Sequence, residues 1–97
     1  MKHLIIIDMN ILNEEWIPKY TENVTPMVER YGGKYLARTP EIKKLEGNKD
    51  LPQFSVVVEF PSKEAAEKFY NSAEYLPYKQ SRQEGSESNI LLLPLEG

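Results

Sequence analysis

Three ionisable residues stand inside or at the end of apolar segments, where a charge is costly unless it is used: Arg38, Glu59 and Asp8. Arg38 closes the run Tyr31-Gly32-Gly33-Lys34-Tyr35-Leu36-Ala37-Arg38. Its guanidinium can hold a carboxylate or an enolate in a two-pronged hydrogen bond. The alternative is a salt bridge to Glu59 or Glu46 on a neighbouring segment. Glu59 interrupts Val56-Val57-Val58-Glu59-Phe60. A carboxylate desolvated there has a raised pKa and suits a general base; facing water, or paired with Arg38, it does not. Asp8 follows the apolar run Leu4 to Ile7 and fits a base, a polar anchor or a simple turn former.

Six tyrosines accompany these groups: Tyr20, Tyr31, Tyr35, Tyr70, Tyr75 and Tyr78. Buried tyrosines need partners for their hydroxyls, and a ring of them suits a small aromatic or enolic ligand. Tyr20, Tyr70 and Tyr75 are the candidates for that role, and the plain alternative is core and interface filling. Arg82, one turn past Tyr78, is expected at the rim of a pocket or, more simply, as a surface charge. The single histidine, His3, sits on an apolar segment that suits an interface or a sheet edge. With no cysteine, no thiolate metal site or disulfide can form, and no cluster has metal-ligand spacing. No cofactor is expected. No serine has a neighbouring histidine by motif. Gly32-Gly33 follows a helix instead of opening one, so it is not a phosphate loop.

These residues need elements to position them. Residues 3–9 fit a strand with Leu4, Ile6 and Asp8 on one face and His3, Ile5 and Ile7 on the other. Asn13 is a suitable N-cap, with Glu14 and Glu15 behind it. Pro18 and the pair Thr25-Pro26 predict two short helices over 13–31, broken near Asn23 to Thr25. Gly32-Gly33 ends the second. A strand over 34–38 places Tyr35 and Ala37 on one face and Leu36 and Arg38 on the other. Ile42 to Glu46 is expected as a short arm and 48–52 as a loop. Phe54 to Phe60 is the clearest strand, stopped by Pro61. Ser62 caps the next helix, which Asn71-Ser72 break. A further helical piece covers about 73–83, a loop 85–88, and a last strand 89–93.

The order is β-α-β-β-α-β, a ferredoxin-like α+β arrangement in a single domain over 1–97, with helices on one face of an antiparallel sheet. A half-solvated strand should alternate apolar with polar residues. His3 to Ile7, Val56 to Val58 and Ile90 to Leu93 do not. The second face is therefore expected to be covered, most simply by another copy in a two-fold homodimer. Ninety-seven residues bury only about two-thirds of the surface of the unfolded chain, so association helps. The net charge of −3 and the lack of a basic run argue against a nucleic-acid partner. The four apolar residues before Asp8 are too few for a membrane span or a signal core, so no membrane partner and a cytoplasmic location are expected.

A set of pieces runs nearly end to end in a set order and spacing: the opening strand to Asp8, Tyr20, Tyr31 to Arg38, Leu45-Glu46-Gly47, Val58 to Ser62, Ala65-Ala66, and Phe69 to Tyr75. In these pieces the chain resembles the domain of unknown function 1330 family, within the dimeric α/β-barrel (ferredoxin-like) group. The resemblance implies protomers whose sheets pack face to face in a dimer. It implies no settled activity. Relatives of that architecture include lactone isomerases, polyketide cyclases, monooxygenases without cofactor and haem-handling enzymes, and fold alone transfers none of these. Trp16-Ile17-Pro18 departs from the family pattern, so the rim near the first helix is expected to differ. Two functions remain open. One is a small-molecule enzyme or binder moving a proton on an organic acid or enol, with Arg38 holding the anion and Glu59 or Asp8 moving the proton. The other is a non-catalytic structural or stress-related dimeric module.

Overall fold

The computed structural model describes residues 1–97. Four strands, β1 (His3–Ile11), β2 (Lys34–Thr39), β3 (Phe54–Phe60) and β4 (Ser86–Pro94), form one antiparallel sheet in the order β2-β3-β1-β4. Three helices, α1 (Ile17–Arg30), α2 (Lys63–Tyr70) and α3 (Leu76–Gly85), lie over one face. This is the ferredoxin-like layout. The sheet of one chain is open and does not close on itself.

Register sorts the side chains. Ile5 pairs with Val58, Ile7 with Val56 and Met9 with Phe54. These residues face the helices. Val24, Met27, Val28, Ala66 and Phe69 meet them there in one buried cluster that includes Phe60 and Tyr75. Leu4, Ile6 and Asp8 turn to the far face with Ser55, Val57 and Glu59.

Four sequence expectations need correction. The two short helices before Gly32 are one continuous helix, α1, with Pro18 in its first turn and Pro26 inside it. The missing N–H of Pro18 falls where the helix leaves donors unpaired anyway. At Pro26 the orphaned Glu22 carbonyl lies on the exposed side. Tyr20, Val24, Met27, Val28 and Tyr31 continue one apolar stripe straight through the proline, and burying it outweighs a penalty of about 3 kcal/mol. Asn13 does not cap α1; its Oδ1 accepts from the Glu15 N–H at 3.2 Å, in the turn before the helix. The arm expected at 42–46 has no regular structure. The loop expected at 85–88 is absent, because α3 runs to Gly85 and β4 starts at Ser86.

The expected helix boundaries at Gly32 and Ser62 hold. Gly32 takes φ +88°, the left-handed conformation that lets the chain leave α1 and enter β2. Ser62 caps α2 by accepting from the Ala65 N–H at 3.0 Å.

Candidate functional site

An apolar cleft of about 370 Å3 opens between α1 and the helix face of the sheet. Ile5, Ile7 and Met9 of β1 and Val56 and Val58 of β3 form its floor. Alternation along two antiparallel strands puts these residues on one face, which is why the floor is apolar. Trp16, Tyr20 and Val24 form the α1 wall. Arg38 is the one charged residue among the 21 that line the cleft.

Arg38 reaches the cleft through an irregularity of β2. The register passes from Tyr35 opposite Val58 to Ala37 opposite Val57, so Leu36 is an extra residue in a β-bulge. The bulge reverses the alternation. Tyr35 and Arg38, expected on opposite faces, both face the helices. The Arg38 guanidinium lies over the Tyr35 ring, 3.8 Å from its centroid, a cation–π contact. Its Nη1 donates to Thr25 Oγ1 of α1 at 2.8 Å. It makes no ion pair: the three in the molecule are Lys2–Glu59, Arg30–Glu74 and Lys63–Glu67. Arg38 is exposed and keeps N–H groups free for an anion at the mouth.

Glu59 and Asp8 are not brought to this site. Both have far-face parity. Glu59 pairs with Lys2 Nζ at 3.1 Å, and Asp8 Oδ1 accepts from Ser55 Oγ at 3.0 Å. Neither lines the cleft, so the sequence-based grouping of Glu59 or Asp8 with Arg38 is corrected by the register. The expected alternatives for Arg38, a bridge to Glu59 or Glu46, are likewise not formed.

The three candidate tyrosines do meet. Tyr20, Tyr70 and Tyr75 all line the cleft. The Tyr20 and Tyr75 hydroxyls are 2.6 Å apart, and either can donate. Tyr75 sits in the link between α2 and α3, where Ser72 Oγ donates to the Phe69 carbonyl at 2.8 Å and accepts from the Tyr75 N–H at 3.2 Å. Its ring packs on Phe69 with centroids 4.4 Å apart. Burial pushes the Tyr20 phenol well above its ordinary pKa, and Tyr75 adds to the rise through charge repulsion and their hydrogen bond. Burial also raises Tyr35, while Arg38 and a Thr25 hydrogen bond act in the opposite sense. Burial thus favours the neutral form of Tyr20 and Tyr35.

Two contributors were not legible as such. Trp16 donates from Nε1 to the Gly85 carbonyl at 3.1 Å, and the Leu12 and Asn13 N–H groups donate to the same oxygen. This clamp closes the α1 end of the cleft. A Cβ on Gly85 would collide with the Trp16 ring, so the contact requires glycine. Arg82, expected at a rim or on the surface, is 2% exposed. Its Nε and Nη2 have no hydrogen-bond partner. Burial lowers its pKa, but Tyr75, Tyr20 and Tyr70 more than offset that, and it stays charged. A buried N–H without a partner costs about 1–3 kcal/mol. His3 Nδ1 lies 3.1 Å from the Met1 carbonyl. No three His, Cys, Asp or Glu side chains gather in one place.

Residues 2–95 match the family described as domain of unknown function DUF1330. The chain belongs to this family. No curated protein matches the sequence significantly. Among solved structures, the DUF1330 chain is similar to a protein of unknown function from Rhodopseudomonas palustris, with a TM-score of 0.79 and 19% identity over 99% of this chain and 84% of that one. SnoaB, a cofactor-independent oxygenase from Streptomyces nogalater, superposes with a TM-score of 0.70 at 10% identity, covering 99% and 94% of the two chains. A dimeric ferredoxin-like protein of unknown function from Jannaschia gives 0.69 at 8% identity, covering 98% and 100%. At such identities the likeness is one of fold. No helix of the DUF1330 chain is long and apolar enough to cross a membrane.

Proposed function

We propose that the cleft binds a small, largely apolar molecule bearing one acidic oxygen, with Arg38 holding the anion at the mouth. The observation that carries this reading is the guanidinium of Arg38, the one charged group lining an apolar cleft of about 370 Å3 and free of any carboxylate. That volume lies in the range of small-molecule sites. The proposed ligand class is planar organic acids, enols and phenols: aromatic side chains wall the cleft and a cation waits at its edge. If chemistry follows binding, it is proton transfer stabilised by positive charge, without a cofactor. Glu59 and Asp8 stand on the wrong face to serve, so the proton passes through the tyrosyl hydroxyls or to water. SnoaB adds only that another protein of this architecture is a cofactor-independent oxygenase. A thermal-shift screen with 2-naphthoate, 1-naphthol and aliphatic acids tests the reading. Stabilisation by the planar acids, weakened in Arg38→Met, is expected. No stabilisation by any of them at millimolar concentration refutes it.

The far face of the sheet supports the second part of the proposal, a homodimer. Ala37, Val57, Ile6 and Leu91 stand in register across all four strands, and Leu91 is 62% exposed. An apolar row of this kind is stabilised by burial against a copy of itself around a two-fold axis. The ferredoxin-like protein from Jannaschia is itself dimeric, which supports association of chains with this fold.

A further inference from the structure

Arg38 is not the only guanidinium near the cleft, and the second one is the less expected. Arg82 is 2% exposed, makes no ion pair, and leaves Nε and Nη2 without partners. Long cationic side chains are rarely buried unless something negative or strongly accepting sits beside them. The groups that act most to hold its charge are phenolic: Tyr75 first, then Tyr20 and Tyr70. Those three tyrosines come from different parts of the chain, α1 for Tyr20, the end of α2 for Tyr70, and the α2–α3 link for Tyr75. All three also line the cleft. Arg82 itself is not among the residues that line the cleft, whereas the tyrosines that act on its charge are.

We propose that Arg82, Tyr75 and Tyr20 form an oxyanion-receiving corner, which takes the ionised oxygen of a bound phenol or enol. The proposal rests on the small-molecule reading of the cleft and sharpens its ligand class, from any planar acid to one that carries an ionisable hydroxyl. The Tyr20–Tyr75 pair has a symmetric choice of donor, so one hydroxyl can turn to donate into the cleft while the other donates to its neighbour. Arg82 stands behind and supplies the positive charge that the cleft floor lacks. Charge is worth more there than at the exposed Arg38, because less water screens it. On binding, the ligand O–H bond breaks, its proton leaves to water, and the electron pair stays on the oxygen facing the hydroxyls. No carbon bond changes and no oxidant is required. Arg82 acts through the tyrosines and is a positioning residue, not a catalytic one.

The test uses 4-nitrophenol, whose phenolate absorbs near 400 nm and reports its own ionisation. The probe is titrated against pH with the protein in excess, in the unmodified chain and in Arg82→Met, Tyr75→Phe and Arg38→Met. The expected result is an apparent pKa about one unit below that of the free probe, a preference of about tenfold for the phenolate. That shift disappears in Arg82→Met, shrinks in Tyr75→Phe and falls less in Arg38→Met than in Arg82→Met. A shift that survives Arg82→Met, or that vanishes only with Arg38→Met, overturns the proposal. Binding with no shift also overturns it and leaves the broader reading of the cleft intact. If the planar carboxylates bind and the nitrophenol does not, the same conclusion holds; if neither binds, both readings fall. Should Arg82→Met not fold, Arg82→Lys and Tyr75→Phe decide: the shift is retained in part by the lysine and reduced by the phenylalanine, and an unchanged Tyr75→Phe overturns the proposal.

Discussion

Replacing the Tyr20 and Tyr75 hydroxyls one at a time and together measures how tightly the corner is built. Tyr75→Phe removes one oxygen from a residue that is 2% exposed. It breaks the 2.6 Å contact with Tyr20 and removes the hydroxyl that does most to hold the charge of Arg82, whose Nε and Nη2 already lack partners. Losing a buried hydrogen bond and stranding its partners costs about 2 kcal/mol. Tyr20→Phe breaks the same contact but leaves the Tyr75 hydroxyl to Arg82, so about 1 kcal/mol is expected. The double variant should cost about 2 kcal/mol, not 3, because the shared hydrogen bond is lost only once. Urea unfolding followed by far-UV circular dichroism reads these values. For a domain this size, the Tyr75→Phe loss corresponds to a fall in Tm of roughly 8–16 °C. Equal costs for the two single variants, or costs that add within about 0.5 kcal/mol, refute the shared corner.

Four further outcomes follow from the same geometry. Gly85→Ala forces a Cβ against the Trp16 ring and should destabilise by about 1–3 kcal/mol, read by the same unfolding assay. Stability should fall as pH rises above about 10: the raised Tyr20 pKa means the folded chain holds that proton after the unfolded chain has lost it, so its contribution is complete below the unfolded value and is lost as pH rises through the folded one. Arg38→Met should change stability by less than about 0.5 kcal/mol, since the side chain is exposed, while weakening binding of 2-naphthoate about tenfold in calorimetry. Ile6→Lys puts a charge in the apolar row and should convert a dimer to monomers in sedimentation velocity; an unmodified chain that sediments as a monomer at micromolar concentration removes the premise.

The strands that pattern alone defines were legible. Phe54 to Phe60, rich in β-branched and aromatic residues and stopped by Pro61, appears with those ends. Gly32 and Ser62 marked their helix boundaries because each acts within a few residues of its own position. What escaped was set by distant contacts. The continuity of α1 depends on a stripe buried against the sheet, which local proline chemistry does not reveal. The bulge at Leu36 turns Arg38 into the cleft, yet nothing in Tyr35-Leu36-Ala37-Arg38 marks it, since it adjusts β2 to β3. Glu59 looked catalytic because it interrupts an apolar strand. Strict alternation places it on the far face, beside Lys2, and the period-two reading of that strand carried this parity. Arg82 was read as rim or surface because α3 is mostly polar; it is buried, and the tyrosines that act on its charge, Tyr20 and Tyr75, lie 62 and 7 positions upstream.

The claim that the cleft is a ligand site is tested most directly by its only tryptophan. Trp16 lines the cleft and its indole N–H is held by the Gly85 carbonyl, so it gives one distinct signal in an amide-proton correlation spectrum. Titration with 2-naphthoate should move that signal together with the amides of Tyr20, Val24 and Tyr35, and leave Val57 and Leu91 on the far face in place. Saturating shifts confined to the far face, or none at millimolar ligand, would contradict the account.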